Sequence, residues 1–438
     1  MKTIDEALDY LYSFINYETD SSYTYDLIHY NVARTVKLLD LLKNPEKSSQ
    51  IIHVAGTKGK GSICHILSSL LRVQNLSTGL FTSPHIMRVN ERITVNGLEI
   101  GDDEFIKITN KFPAIIKNFS SDNLPTTFEI FTAMAMYYFN MKKVSYSILE
   151  TGMGGRFDST NFSDPAISII TSVSYDHMDK LGVHIEEIAF EKAGIIKKNR
   201  PVVIGYQRYN VSDIFKRRSG EEESPCYMAE DLCDYQIEKI SPEGTKFSTT
   251  IDGLYLKDLF LSLPGKHQVE NAVSALLSLK ILDLLPDEDG IRDALKNIYL
   301  HTRLELIERK RRFLLDSAHN EDSARLLTEA VNDVYSKGRL ITIVGIVKGK
   351  DVYGILRNLT SISNILIVTE PITHKELDTE YVFRISRELF PEAFLIQNVY
   401  EAIGYAEKLS KKEDLILITG SFYTTSPARS FIEQMPNV

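Results

Sequence analysis

Three glycines set around a lysine and a serine, Gly56-Thr57-Lys58-Gly59-Lys60-Gly61-Ser62, follow the apolar run Ile51-Ile52-His53-Val54-Ala55. Apolar residues then recur at Ile63, Ile66, Leu67, Leu70 and Leu71, which is helical spacing. The pattern predicts strand, phosphate loop and helix. Glycines let the backbone turn so that several N–H groups meet one anion, and the positive end of the helix points at the same place. Lys60 is positioned to meet the outer phosphates of a nucleotide and Ser62 to offer a hydroxyl to Mg2+. The spacing departs from the common phosphate loop. Only two residues separate Gly56 from Gly59, and Gly61 stands between Lys60 and Ser62.

The flanking elements bring further polar residues to strand ends. Ser77-Thr78-Gly79-Leu80-Phe81 reads as a strand running into Ser83, and Tyr146-Ser147-Ile148-Leu149 as a strand ending at Glu150. The apolar run Ile167–Thr171 leads to Ser174-Tyr175-Asp176-His177. In a parallel sheet, residues just past the carboxyl ends of strands gather in one crevice. Ser83, Glu150 and His177 are therefore expected to form a Mg2+ shell of hydroxyl, carboxylate and imidazole facing the triphosphate. Arg88 and Arg92 fall in a loop, where solvated surface charge is the plainer expectation. Glu191-Lys192 sits on a predicted helix near residues 185–196, where a charge pair on the solvent face is the plainer expectation.

The composition narrows the class of protein. The chain has 438 residues, 43% of them hydrophobic and 25% charged, as soluble globular proteins do. A net charge of −9 argues against a general nucleic-acid binder, so an anionic substrate must be held by local basic residues. Cys64, Cys226 and Cys233 form no C-x-x-C pair, which suits a reducing compartment, and Cys64 is expected to be a packed side chain. Without a signal-peptide pattern or an apolar run of about 18 residues, the expected location is the cytoplasm and no membrane is expected as a partner.

Residues 3–43 are expected to be helical, residues 126–141 form a helical stripe, and residues 208–260 read as an irregular, partly β excursion. The character changes near residue 300. Strand patterns at 313–315, 340–344, 365–368 and 415–418 alternate with helices beyond it, which predicts a second parallel α/β unit. The expected domains are residues 1–299 and 300–438. Asp316-Ser317-Ala318-His319-Asn320 and Thr419-Gly420-Ser421 end strands of the second sheet, so an active site between the two domains is expected.

Taken in order, these residues resemble the folylpolyglutamate synthase and dihydrofolate synthase enzymes, relatives of the Mur peptidoglycan ligases. The resemblance is carried by the phosphate loop with its extra glycine, Ser83-Pro84-His85 with Asn90-Glu91-Arg92-Ile93, and Glu150-Thr151-Gly152-Met153-Gly154-Gly155-Arg156 through Asp158-Ser159-Thr160-Asn161. Asp176-His177, Glu191-Lys192-Ala193-Gly194, Gly265-x-His267-Gln268-x-x-Asn271, Arg303-Leu304-Glu305, Asp316 to Asn320 and Thr419-Gly420-Ser421 complete it. It implies an α/β, Mur-ligase-like fold: an N-terminal P-loop ATPase domain with a parallel sheet, and a smaller C-terminal Rossmann-like α/β domain that binds glutamate.

The implied activity is ATP-dependent addition of L-glutamate to the carboxylate of dihydropteroate or a tetrahydrofolate through an acyl phosphate. A Mur-like amide ligase or a P-loop phosphotransferase with a non-folate acceptor is the competing reading. The resemblance implies that residues 56–62 hold ATP, that Ser83, Glu150 and His177 hold Mg2+, with two ions expected, and that Lys192 is carbamylated. It gives Asn271 the adenine and Arg303 the phosphates. Lys60, Lys192, Asp316 and His319 are the expected catalytic residues. Arg92, Phe128, Arg156, Asp158 and Ser421 are expected on the substrates, in a protein working as a monomer. Two positions depart from the family pattern. Ser317 replaces a glycine, and Thr127 replaces the first of an aromatic pair, leaving Phe128 as the stacking residue of the pterin platform.

Overall fold

A computed structural model describes residues 1–17, 24–26, 29–335, 338–373 and 375–436. They divide into two compact units. One comprises Met1–Gln236, Phe247–Phe260 and Gln268–Ile298, and the other Ile237–Lys246, Leu261–His267 and Tyr299–Val438.

The first unit is built on an eight-stranded sheet: β1 (Gln50–Ala55), β2 (Thr78–Phe81), β3 (Ile93–Val95), β4 (Leu98–Glu99), β5 (Tyr146–Glu150), β6 (Ile167–Ile170), β7 (Val202–Ile204) and β8 (Cys226–Met228), in the order β4-β3-β2-β5-β1-β6-β7-β8. Strands β2, β5, β1, β6, β7 and β8 are parallel, and β3 and β4 add an antiparallel edge. Five of the six residues of β1 are buried, as expected for a central parallel strand covered on both faces. The register pairs Val54 with Glu150, Ala55 with Ile170 and Phe81 with Leu149. Four neighbouring strands therefore end level, and the chain leaving each one enters the same edge of the sheet. The parallel connections require helices on the faces. Helix Lys60–Arg72 buries Ile63, Ile66, Leu67, Leu70 and Leu71 at the spacing read from the sequence.

Helix Thr127–Lys142 is apolar on most of its circumference, burying Ile130, Phe131, Met134 and Phe139 among others. Its N-terminus carries a capping box. Glu129 N–H donates to Thr126 Oγ1 at 3.2 Å, and Thr126 N–H to Glu129 Oε2 at 2.9 Å. The same Glu129 carboxylate takes two hydrogen bonds from Arg34 Nε and Nη2, at 2.9 and 2.8 Å, in a buried ion pair. Arg34 thereby ties helix Val32–Leu41 to that terminus.

Within residues 3–43 the helical expectation holds for Ile4–Tyr12 and Val32–Leu41 only. Residues 13–17, 24–26 and 29–31 are not helical, and residues 18–23 and 27–28 lie outside the described residues. Within 208–260 the structure has more order than expected: a helix Ser212–Glu221, then β8, then a three-stranded sheet of β9 (Cys233–Ser241), β10 (Gly244–Ile251) and β11 (Leu254–Leu261) in the order β11-β10-β9.

The second unit holds a six-stranded sheet of β12 (Glu305–Glu308), β13 (Arg312–Leu315), β14 (Leu340–Val344), β15 (Ile365–Val368), β16 (Ala393–Leu395) and β17 (Leu415–Thr419), in the order β12-β13-β17-β14-β15-β16. All neighbours are parallel except β12, which pairs antiparallel to β13. Short β12 and β16 lack a continuous buried run, which is why the sequence pattern missed them. Among the described residues no helix is long and apolar enough to cross a membrane.

Candidate active site

The phosphate loop occupies the space between β1 and helix Lys60–Arg72, and two of its glycines are sterically required. Gly56 has φ +148° and Gly59 φ +85°, conformations that side chains rarely adopt. A Cβ on Gly56 would fall 1.8 Å from Thr171 Oγ1, and one on Gly59 2.3 Å from Asn271 Oδ1. The segment after β6 fastens the loop from outside. Thr57 and Lys58 N–H groups donate to Ser172 O at 2.9 and 3.2 Å, Thr57 Oγ1 exchanges hydrogen bonds with the Ser174 backbone, and Thr171 Oγ1 donates to Lys58 O at 2.6 Å.

Three lysines converge here. Lys60 Nζ donates to Gly56 O at 3.2 Å, and Lys192 Nζ, from helix Ile185–Ala193, donates to the same oxygen at 2.8 Å. Lys58 instead pairs with Asp176 at 3.2 Å, and the other oxygen of Asp176 accepts the His177 N–H at 3.1 Å. Lys192 is 3% exposed. Burial, then the nearby charges of Lys60 and Lys58, push its amine down to about 7, against the partial pull of Asp176 and Asp158. Near neutral pH a large share of this amine is therefore uncharged and nucleophilic. Glu191 is buried too, so the expectation of a solvated Glu191-Lys192 pair is wrong: both residues face the interior.

Next to the loop, Glu150 ends β5 with 5% exposure, and its Oε2 accepts the Ser83 N–H at 3.1 Å. A Cβ on Gly61 would lie 3.7 Å from that carboxylate oxygen, so the extra glycine faces Glu150 directly. His177 begins a short helix at φ +51°. Among the described residues no group of three or more His, Cys, Asp and Glu is arranged to hold a metal.

The remaining first-unit candidates have well-defined partners. Arg92 is 2% exposed, donates Nε to His85 Nδ1 at 2.9 Å and lies over the Phe131 ring at 5.2 Å. It is a core residue, contrary to the expectation of solvated charge. Arg88 is exposed and pairs with Asp102 at 2.7 Å. Arg156 binds Glu191 through Nε and Nη2 at 3.1 and 2.6 Å and stacks on Phe157 and Phe190. Asp158 is buried and accepts from Met153 N, Thr160 N and Thr160 Oγ1, capping the turn Ser159–Phe162. Burial pushes its carboxyl up. Phe128 rests against Phe81 with centroids 5.6 Å apart, and its ring would meet a Cβ on Gly152 at 2.7 Å. Thr127 is buried away from solvent, donating Oγ1 to Leu11 O at 2.9 Å.

In the second unit, Asp316 to Asn320 leave β13 beside Gly420-Ser421 leaving β17. Gly420 has φ +104°, and a Cβ there would lie 2.4 Å from Gly345 O. Ser421 Oγ donates to that carbonyl at 3.0 Å. His319 Nδ1 is 2.9 Å from Ser317 O. A carbonyl can only accept, so Nδ1 carries a proton in this contact. Asn320 caps helix Glu321–Val334 through Oδ1. Ser317, where the resembled pattern has glycine, needs no left-handed backbone and is fully buried. The Lys58–Asp176 pair was not legible beforehand, because it joins loops that only the folded sheet brings together.

Residues 54–279 match the Mur ligase middle domain, and residues 302–422 match the Mur ligase glutamate ligase domain. The chain is 32% identical over 443 residues to the dihydrofolate synthase/folylpolyglutamate synthase of Bacillus subtilis (strain 168), covering 95% of this chain and 99% of the relative. It belongs to the Mur ligase family, with the dihydrofolate synthase/folylpolyglutamate synthases. Among solved structures, the Mycobacterium tuberculosis folylpolyglutamate synthase complexed with ADP superposes with a TM-score of 0.91 at 28% identity, covering 99% of both chains. Escherichia coli FolC in complex with DHPP and ADP gives a TM-score of 0.85 at 26% identity, covering 99% of this chain and 98% of that one. In this Mur ligase the extra glycine of the phosphate loop lies next to Glu150.

Gly59→Ala tests the loop geometry. The added methyl is strained by φ and collides with Asn271, so nucleotide affinity should fall at least tenfold, on the order of 1.4 kcal/mol, while the thermal midpoint changes little. Unchanged ADP affinity by calorimetry would mean that Gly59 and Asn271 do not border the nucleotide.

Proposed function

We propose that this protein is an ATP-dependent ligase that adds L-glutamate to the carboxylate of dihydropteroate and of tetrahydrofolates. The observation that carries the reading is the phosphate loop with Lys60 and the buried Lys192 amine on one carbonyl, Gly56 O, in a chain that matches the family over its length. The first unit would bind ATP and the pterin substrate, and the second L-glutamate.

The chemistry follows from what a carboxylate lacks. It is a poor electrophile, so an acceptor carboxylate oxygen attacks the γ-phosphorus of ATP and the bond to ADP breaks, giving an acyl phosphate. The amine of glutamate then attacks the acyl carbon, and inorganic phosphate leaves as the amide forms. Lys60, Arg303 and the loop N–H groups neutralise charge on the transferring phosphoryl group. Asn271, which borders Gly59, would hold the adenine. His319 would take a proton from the incoming amine, with Ser421 on the glutamate side. Phe128 would stack on the pterin.

The residues present suit Mg2+, which binds through one or two carboxylates together with substrate phosphates. Glu150 is a buried carboxylate bordering the phosphate loop at Gly61, and Ser83 and His177 complete the set that would hold the ion. Bound there, the ion would offset the charge of the phosphates. A Lys192 amine lowered to about 7 has the lone pair needed to attack CO2. The resulting carbamate would turn a buried cation into an anion beside Lys60 and Lys58, which removes the repulsion among the three amines.

Incubation with Mg-ATP and L-glutamate, separately with dihydropteroate and with tetrahydrofolate monoglutamate, should yield products heavier by one glutamyl unit from both acceptors by mass spectrometry. Absence of glutamyl addition to either would refute the reading. Lys192→Ala should lose at least a hundredfold in rate, about 2.7 kcal/mol of barrier, and recover part of it when formate or acetate is supplied. Full activity without such rescue would remove the carbamate.

A further inference from the structure

Arg303 stands between two residues in the left-handed region. Thr302 has φ +53° and Leu304 φ +51°, where a branched or bulky side chain is strained and persists only if its surroundings impose it. The surroundings are on both sides of the arginine. Thr302 N–H donates to Glu305 Oε2 at 2.8 Å, Thr302 O accepts the Ser317 N–H at 3.1 Å, and Thr302 Oγ1 accepts from Ser317 Oγ at 2.8 Å. Leu304 N–H donates to Asp316 Oδ2 at 3.1 Å, while Asp316 Oδ1 accepts the Ala318 N–H at 3.0 Å. Leu304 itself is buried in the core with Leu314 and Leu327.

Glu305 is in turn fixed by Arg429 Nε at 2.9 and 3.1 Å. Although burial opposes it, the His301 ring 3.6 Å away, hydrogen bonds from Tyr299 and Thr302 and the charge of Arg429 hold its carboxyl down at about 2, so it remains an anion that can anchor the turn. The Arg303 guanidinium lies 5.1 Å above the Phe422 ring. Backbone and side chain of one arginine are thus set before any ligand arrives, which reduces the ordering cost of binding.

We propose that Asp316 and Ser317 are positioning residues for Arg303. They hold the strained turn 302–304 that presents the guanidinium to the nucleotide phosphates, and Asp316 acts on the reaction through Arg303 instead of touching glutamate. The inference rests on the reading of Arg303 as a phosphate ligand. Ser317 is notable because its hydroxyl, also 2.7 Å from Thr425 Oγ1, supplies a pin that the glycine of the resembled pattern would lack.

The test is a double-variant cycle on the full chain, read by calorimetric affinity for a non-hydrolysable ATP analogue and by KM for L-glutamate. Asp316→Asn keeps the shape but cannot accept the Leu304 N–H at the amide nitrogen. It should weaken analogue binding about tenfold, and Ser317→Ala, a milder change that leaves the fold intact, about threefold. In an Arg303→Ala background neither should weaken it further, and KM for glutamate should stay as in the wild type. Losses that multiply in the double variants, or an Asp316→Asn enzyme with a raised glutamate KM and intact analogue affinity, would overturn the inference. A wild-type chain that does not bind the analogue would overturn the nucleotide reading itself, a result distinct from binding that the variants fail to change.

Discussion

A single backbone oxygen, Gly56 O, accepts hydrogen bonds from two lysine amines, and the arrangement around it depends on that meeting. The carbonyl can face both only because Gly56 takes a φ closed to other residues. Burying an amine beside two other lysines is unfavourable unless one of them gives up its charge, and Lys192, the most enclosed, is the one whose proton is loosened. Lys58 is satisfied elsewhere, by Asp176. Lys60, held on Gly56 O, is then the lysine left for a polyphosphate in a chain whose net charge is −9.

The second unit solves a similar problem with different means. No glycine-rich loop follows its strands at Arg303. Instead one cation is fixed by strain on either side of it, and the strain is sustained by Asp316, Ser317 and Glu305. Both units place their polar groups at the carboxyl ends of parallel strands, where side chains leave the sheet and backbone N–H groups become available. The level ends of β2, β5, β1 and β6 follow from their register, and the register from apolar runs that must stay buried on both faces.

The elements were legible where a local pattern decides them. The strand, loop and helix at residues 50–72 and the four apolar strands after residue 312 can be read from apolar spacing and turn residues. Helix Thr127–Lys142 follows the helical stripe read at residues 126–141. The environments of charged side chains were not legible, because they are set by partners far along the chain. Arg92 and Glu191 look like surface charges in sequence, yet the first lies under His85 against Phe131 and the second is clasped by Arg156. Thr127 reads as a missing ring, but its hydroxyl serves the end of helix Ile4–Tyr12. Ser317 reads as a tolerated exchange for glycine, and only the contact with Thr302 gives it a purpose.

Transfer of oxygen-18 from a labelled acceptor carboxylate is the most direct measurement of the chemistry assigned to this site. If phosphorylation of the carboxylate precedes attack by glutamate, each turnover with carboxyl-labelled dihydropteroate should deliver one labelled oxygen to inorganic phosphate. Amide product accompanied by unlabelled phosphate would contradict the acyl phosphate, and with it the roles given to the phosphate loop, Lys60 and Lys192.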